Sequence, residues 1–136
     1  MSTEDELQLT QRWLALEHEA IWTLALVGAR VPALAEAAEK ALAGHEVTRD
    51  RLGDVVRSLG GRPVATQPSY AVAAPRDAKA ARALLTDVEA RIAAVCVRLV
   101  AATADKARDR AVRGLRVAAL AQVRWGATPE PFPGLD

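Results

Sequence analysis

The stretch Gly60-Gly61-Arg62-Pro63-Val64-Ala65-Thr66-Gln67-Pro68-Ser69-Tyr70-Ala71-Val72-Ala73-Ala74-Pro75-Arg76, "GGRPVATQPSYAVAAPR", interrupts a chain that otherwise reads as helix. It carries three prolines and two glycines and has no helical period, so it is a connection. Two helical segments lie before it and two after, each pair separated by a short break. Helices joined by short loops are antiparallel neighbours. A helix of about 28 residues is roughly 42 Å long at about 1.5 Å per residue. Seventeen extended residues reach at most about 55 Å. The connection can therefore run the length of a bundle and start the third helix parallel to the second. Short, long, short describes two antiparallel hairpins joined by a crossover. The alternative is a loose linker between two independent hairpins.

Working outward, the apolar periodicity places helices at 4–29, 32–59, 77–103 and 106–125, a crossover at 60–76 and a Pro-rich tail at 126–136, all in one domain, 1–136. Helix 1 opens on a capping box of Thr3 and Glu6. Its inward line is Leu7, Thr10, Leu14, Glu17, Ile21, Leu24 and Gly28. Pro32 suits the first position of helix 2, and Gly60-Gly61 suits its end. The inward line of helix 2 is Leu34, Ala38, Ala41, His45, Thr48, Leu52, Val55 and Leu59. Asp77 is the expected N-cap of helix 3, whose stripe is Leu85, Glu89, Ile92, Cys96 and Leu99. Helix 4 offers the line Val112, Arg116, Ala119 and Val123.

The bulk composition excludes several classes. The 136 residues are enough for one sizeable core, with 51% hydrophobic and 26% charged residues and a net charge of +1. Only 4% are aromatic, which leaves little for stacking on bases. Helix 4 is basic and helix 1 acidic, which reads as neighbours that pair with each other rather than as a nucleic-acid surface. No apolar run reaches the roughly 20 residues of a membrane span. The N-terminus "MSTEDELQLT" lacks a signal-peptide pattern, and the expected location is cytoplasmic. The single cysteine, Cys96, sits among Val95, Val97 and Leu99 and reads as a buried, inert thiol. Trp13 and Trp22 read as rim packing. Trp125 and Phe132 read as anchors of the tail, and Tyr70 as a residue that packs over helices with its hydroxyl on a polar partner.

The chemistry, if any, lies in polar residues on inward lines. In "LALEHEAIW", 14–22, three polar side chains interrupt an apolar run. Consecutive helical residues point about 100° apart, so only one faces the core. The line through Leu14 and Ile21 selects Glu17 and leaves His18 and Glu19 at the flanks. His45, with Arg49 one turn on, Glu89 and Arg116 occupy mid-helix positions on the other three helices. A carboxylate in a core must be paired, protonated or metal-bound.

Four segments carry a resemblance: Glu17 itself, "AGHEVTRDRLGDVV" (43–56), "GGRPVATQPSYAV" (60–72) and "RWGATPEPFPGL" (124–135). Across nearly the whole chain they resemble an actinobacterial ferritin-like family of unknown function. The resemblance implies a ferritin-like four-helix bundle, all-α. Many members of that superfamily bind two metals, using a Glu from each of two helices and a Glu-x-x-His from each of the other two. This sequence has no Glu-x-x-His, and helix 4 places Arg113, Arg116 and Arg124 where acids would be needed. Glu17, His45 and Glu89 match three ligand positions. The expectation is a polar core without cofactor, in which Arg49 and Arg116 compensate Glu17 and Glu89 and His45 bridges them. The domain would then be structural or bind a protein partner, including a second copy through apolar helix faces. One alternative is an iron- or manganese-dependent oxidoreductase built on Glu17, His45 and Glu89. Another is a small-anion binder using Arg49 and Arg116.

Overall fold

The computed structural model describes residues 2–129 and 131–135. Four α-helices carry the chain: α1 (Thr3–Arg30), α2 (Ala35–Ser58), α3 (Ala78–Ala102) and α4 (Asp105–Arg124). No strand occurs among the described residues. The ends differ from the sequence reading by a residue or more, and each difference has a local cause. The capping box falls one residue earlier than expected: Ser2 Oγ accepts from the Asp5 N–H, and the Asp5 carboxylate accepts from the Ser2 N–H. Pro32 opens a 3₁₀ turn, Pro32–Leu34, and α2 proper begins after it. Asp77 caps α3 as expected, accepting from the Ala80 N–H at 2.8 Å. Gly60, at φ 85°, ends the α2 turn in a left-handed conformation that a side chain disfavours.

Two apolar clusters fix the directions of the helices. One joins Leu9, Trp13 and Leu14 of α1 with Leu52 and Val56 of α2, Ile92, Cys96 and Leu99 of α3, and Ala111 and Ala118 of α4. The other joins Leu24 and Val27 with Leu34 and Ala38, Ala81 and Leu85, and Ala121 and Trp125. Residue numbers rise from the first cluster to the second along α1 and α4 and fall along α2 and α3. Helices α2 and α3 are therefore parallel, and the crossover returns the chain along the whole bundle. The close-packed pairs are α1–α2, α1–α3 and α3–α4. Burying each large apolar side chain contributes about 1.5–3 kcal/mol, so the two clusters supply most of the drive for this arrangement.

The crossover is tied to α1. The Gln11 side chain donates to the Arg62 carbonyl at 2.6 Å and accepts from the Val64 N–H at 2.9 Å. His18 Nε2 donates to the Val64 carbonyl at 3.0 Å. Tyr70 packs on Trp22 at 5.9 Å between ring centroids, and its hydroxyl accepts from the Gln67 N–H. These contacts exclude a loose linker. In the tail Trp125 is buried as expected, but Phe132 is 69% exposed and anchors nothing. Gly134 does that work: it lies so close to Ala93 and Val97 of α3 that a Cβ there would overlap them. Glu130 and Asp136, which the sequence reading includes in the tail, lie outside the described residues.

Candidate functional site

Glu17, His45 and Glu89 meet near the junction of the two apolar clusters, one from each of α1, α2 and α3. Each was placed there by its own helix period: Glu17 follows Leu14, His45 lies between Ala38 and Leu52, and Glu89 follows Leu85. His45 lies between the carboxylates. Its Nδ1 donates to Glu17 Oε2, and its Nε2 donates to Glu89 Oε1 at 2.7 Å. Both carboxylate side chains are almost wholly buried, and the imidazole is 10% exposed. An ionised carboxylate only accepts, so between two of them both ring nitrogens donate and His45 is an imidazolium. Burial opposes that charge. The hydrogen bonds to Glu17 and Glu89, with their negative charge, outweigh it and push the imidazole up to about 10.

Trp13 completes the layer. One turn before Glu17 on α1, its indole N–H donates to Glu17 Oε1 at 3.0 Å. Both oxygens of Glu17 are thus satisfied. Trp13 is buried, not a rim residue. Its ring fits because α4 presents Gly114 to it; a Cβ at that position would stand 2.4 Å from the ring carbon Cζ2. The i, i+4 relation of Trp13 to Glu17 was present in the sequence and identifies the pair. Cys96 is wholly buried beneath the same layer, and burial together with the charges of Glu17 and Glu89 drives its thiol upward, away from thiolate.

The two arginines are elsewhere. Arg49 turns outward along α2, bonds Asp50 at 3.0 Å and approaches Glu46. Its long stem lets the guanidinium reach water instead of entering the layer. Arg116 is exposed, because α4 buries Ala111, Ala118, Ala121 and Trp125 and turns the line Arg116–Val123 away from the core. Charge compensation therefore comes from the imidazolium alone. Two carboxylates and one imidazolium leave one unit of excess negative charge, and Glu89 Oε2 is buried with no hydrogen-bond partner among the described residues. An anion has no cationic pocket in this layer. Arg49, Arg57 and His18 do line an open cleft of about 460 Å³ beside the crossover, but Asp50 and Asp54 line it too. Nor, among the described residues, does acidic α1 pair with basic α4: Glu19 of α1 pairs with Arg91 of α3.

The donor set does not fit a two-metal centre. Helix α4 gives it no carboxylate, and both nitrogens of the one inward histidine face protein oxygens. No group of three or more His, Cys, Asp or Glu residues is arranged to hold a metal ion among the described residues. Among the described residues no helix is long and apolar enough to cross a membrane.

Residues 10–136 match the family model for a domain of unknown function, DUF4439. The chain belongs to the DUF4439 family. The matched span contains the whole Trp13–Glu17–His45–Glu89 layer and Gly114. The crystal structure of a conserved hypothetical protein from Mycobacterium tuberculosis superimposes with a TM-score of 0.84, covering 92% of this chain and 97% of that one at 22% identity. At that identity the likeness concerns the fold. No functionally curated protein matches this DUF4439 chain.

Proposed function

We propose that this DUF4439 domain is a non-catalytic scaffold: a ferritin-like bundle whose central level is closed by an imidazolium instead of a metal ion, and which serves as a structural or protein-interaction domain of the cytoplasm. The observation that carries this reading is the double engagement of His45, with one ring nitrogen on Glu17 and the other on Glu89. A metal-bound histidine offers a bare nitrogen to the ion. Here both nitrogens donate protons to carboxylates, so the ring supplies positive charge where a metal would. It also pins α2 to α1 and α3 at once. The lone buried thiol of Cys96 asks for no oxidising compartment.

A second reading, one iron or manganese ion per chain in an oxidoreductase, has one observation in its favour. Glu89 Oε2 is buried and unpartnered, and the layer carries excess negative charge. One set of measurements separates the two. Protein produced with iron and manganese available, and purified without chelator, is assayed by elemental mass spectrometry. The same preparation is then examined by nitrogen NMR of its imidazoles. The scaffold reading expects no stoichiometric metal and both His45 nitrogens protonated at neutral pH. One metal per chain that disappears in His45→Ala would establish the second reading instead.

A further inference from the structure

Helix α4 keeps a second ordered seam on its outer side. Lys106, Arg110, Arg113, Val117, Leu120 and Arg124 recur at alternating spacings of four and three, so they lie along one line of the helix. Val117 and Leu120 in its centre are 63% and 66% exposed, with Val123 beside them at 43%. The cations Arg113, Arg116 and Arg124 are exposed. No residue of α4 takes part in an ion pair among the described residues. Isolated apolar side chains at a surface are ordinary, but three on one helix face, framed by unpaired cations, form a patch.

The complement stands on α2. Glu36, Glu39, Ala43, Val47, Asp50 and Asp54 recur with the same three-and-four spacing and span the same length of helix. This seam has acids at both ends, with exposed Lys40 and Arg51 alongside them, and an exposed small apolar centre, with Val47 at 50%. Gly44 beside it faces open space, so another helix can approach closely there. Within one chain α2 and α4 are not a close-packed pair; Asp50 and Asp54 pair with Arg49 and Arg57 of their own helix, whereas Glu36 and Glu39 are in no ion pair among the described residues.

We propose that the occupant of the α4 seam is α2 of a second copy of this chain. Cations at the ends of one seam meet acids at the ends of the other, and Val117 and Leu120 meet Ala43 and Val47. Each copy offers one seam of each kind, and the proposed assembly makes the contact twice, α4 on α2 and α2 on α4, as a two-fold dimer; an open chain of copies would overturn it. The inference rests on the scaffold reading above, since it gives that scaffold its partner, but it uses none of the residues of the buried layer.

Sedimentation velocity over a range of concentrations tests it. A dimer is expected that weakens with added salt, because its end contacts are surface charges. Leu120→Glu should weaken it at least about tenfold, a change of about 1.4 kcal/mol. The pair Arg113→Glu with Arg124→Glu should do the same, and adding Glu39→Lys with Asp54→Lys should restore association. These positions are exposed, so helicity by circular dichroism should not change. A chain that stays monomeric at every concentration, or a dimer indifferent to all these changes, overturns the proposal. A monomer that keeps His45 as an imidazolium without metal would sink the pairing and leave the scaffold standing. A metal-loaded dimer would do the reverse.

Discussion

Helices α3 and α4 form one hairpin yet hold their place by opposite means. The inner face of α3 is built of large residues: Leu85, Val88, Ile92 and Leu99 are each no more than 4% exposed. The inner face of α4 is built of Ala111, Ala118 and Ala121 with Gly114, closed at its end by Trp125. Larger apolar residues of α4, Val117 and Leu120, point to solvent. Small residues let α4 approach α3 and the Trp13 ring closely, so what is buried there is decided by fit and not by apolar size. The polar layer belongs to the first kind of packing. It is deep, made by α1, α2 and α3, and α4 reaches it only through the indole that bonds Glu17.

The deepest break in this arrangement is His45→Leu. It leaves Glu17 and Glu89 facing each other with no cation between them. Removing one partner from a buried charge network costs about 3–5 kcal/mol, to be read as a fall in urea stability. Glu17→Gln should cost less, because a neutral His45 then accepts from the amide NH2 at Nδ1 and still donates from Nε2 to Glu89, while the amide oxygen keeps the Trp13 N–H. Equal and small effects would refute the imidazolium. The folded-state imidazole stands at about 10 against an ordinary 6.5. A raised value stabilises the fold fully below about 6.5, and the contribution is lost as pH rises towards 10. In urea titrations the stability of the native chain should decline across that interval more than that of His45→Gln.

Next in size is Leu85→Ala on α3. It opens a cavity in a well-packed core and should cost about 2–5 kcal/mol in chemical denaturation. On α4 the damaging change runs the other way, from small to large. Gly114→Ala would gain up to about 1 kcal/mol of helix propensity at an unconstrained site. Here its Cβ would press on the Trp13 ring, and a net loss of about 1–3 kcal/mol is expected from overpacking. A shift in tryptophan emission should accompany it as the ring is displaced. Stabilisation with an unchanged spectrum would mean that α4 does not rest on Trp13.

The contrast also explains what the sequence could reveal. On α1, α2 and α3, leucines and isoleucines recur at helical spacing, and Glu17, His45 and Glu89 interrupt those lines in register. That pattern makes the layer legible in the sequence. Short–long–short connection lengths made the path of the crossover legible in the same way. On α4 the same rule chose Val112, Arg116 and Val123 as the inner line, because branched apolar residues look more buried than alanines. Arg116 entered the expected site through that error. Arg49 entered it because helical spacing places a Cα near the core but does not place the end of a long side chain. Phe132 looked like an anchor by type, whereas the contact of Gly134 with the α3 backbone depends on close approach that composition does not encode.

The smallest effect is the sharpest check on the comparison. Leu120→Ser removes a large apolar side chain from the middle of α4. If α4 were held as α3 is, the loss would approach that of Leu85→Ala. Leu120 is 66% exposed and belongs to neither apolar cluster. Measured in dilute protein, where copies do not meet, its cost should stay within about 0.5 kcal/mol, as for a surface change. A loss of several kcal/mol there would place Leu120 in a core and turn α4 around. A negligible loss, in a variant that no longer associates when concentrated, would show that this leucine serves the second copy and not its own bundle.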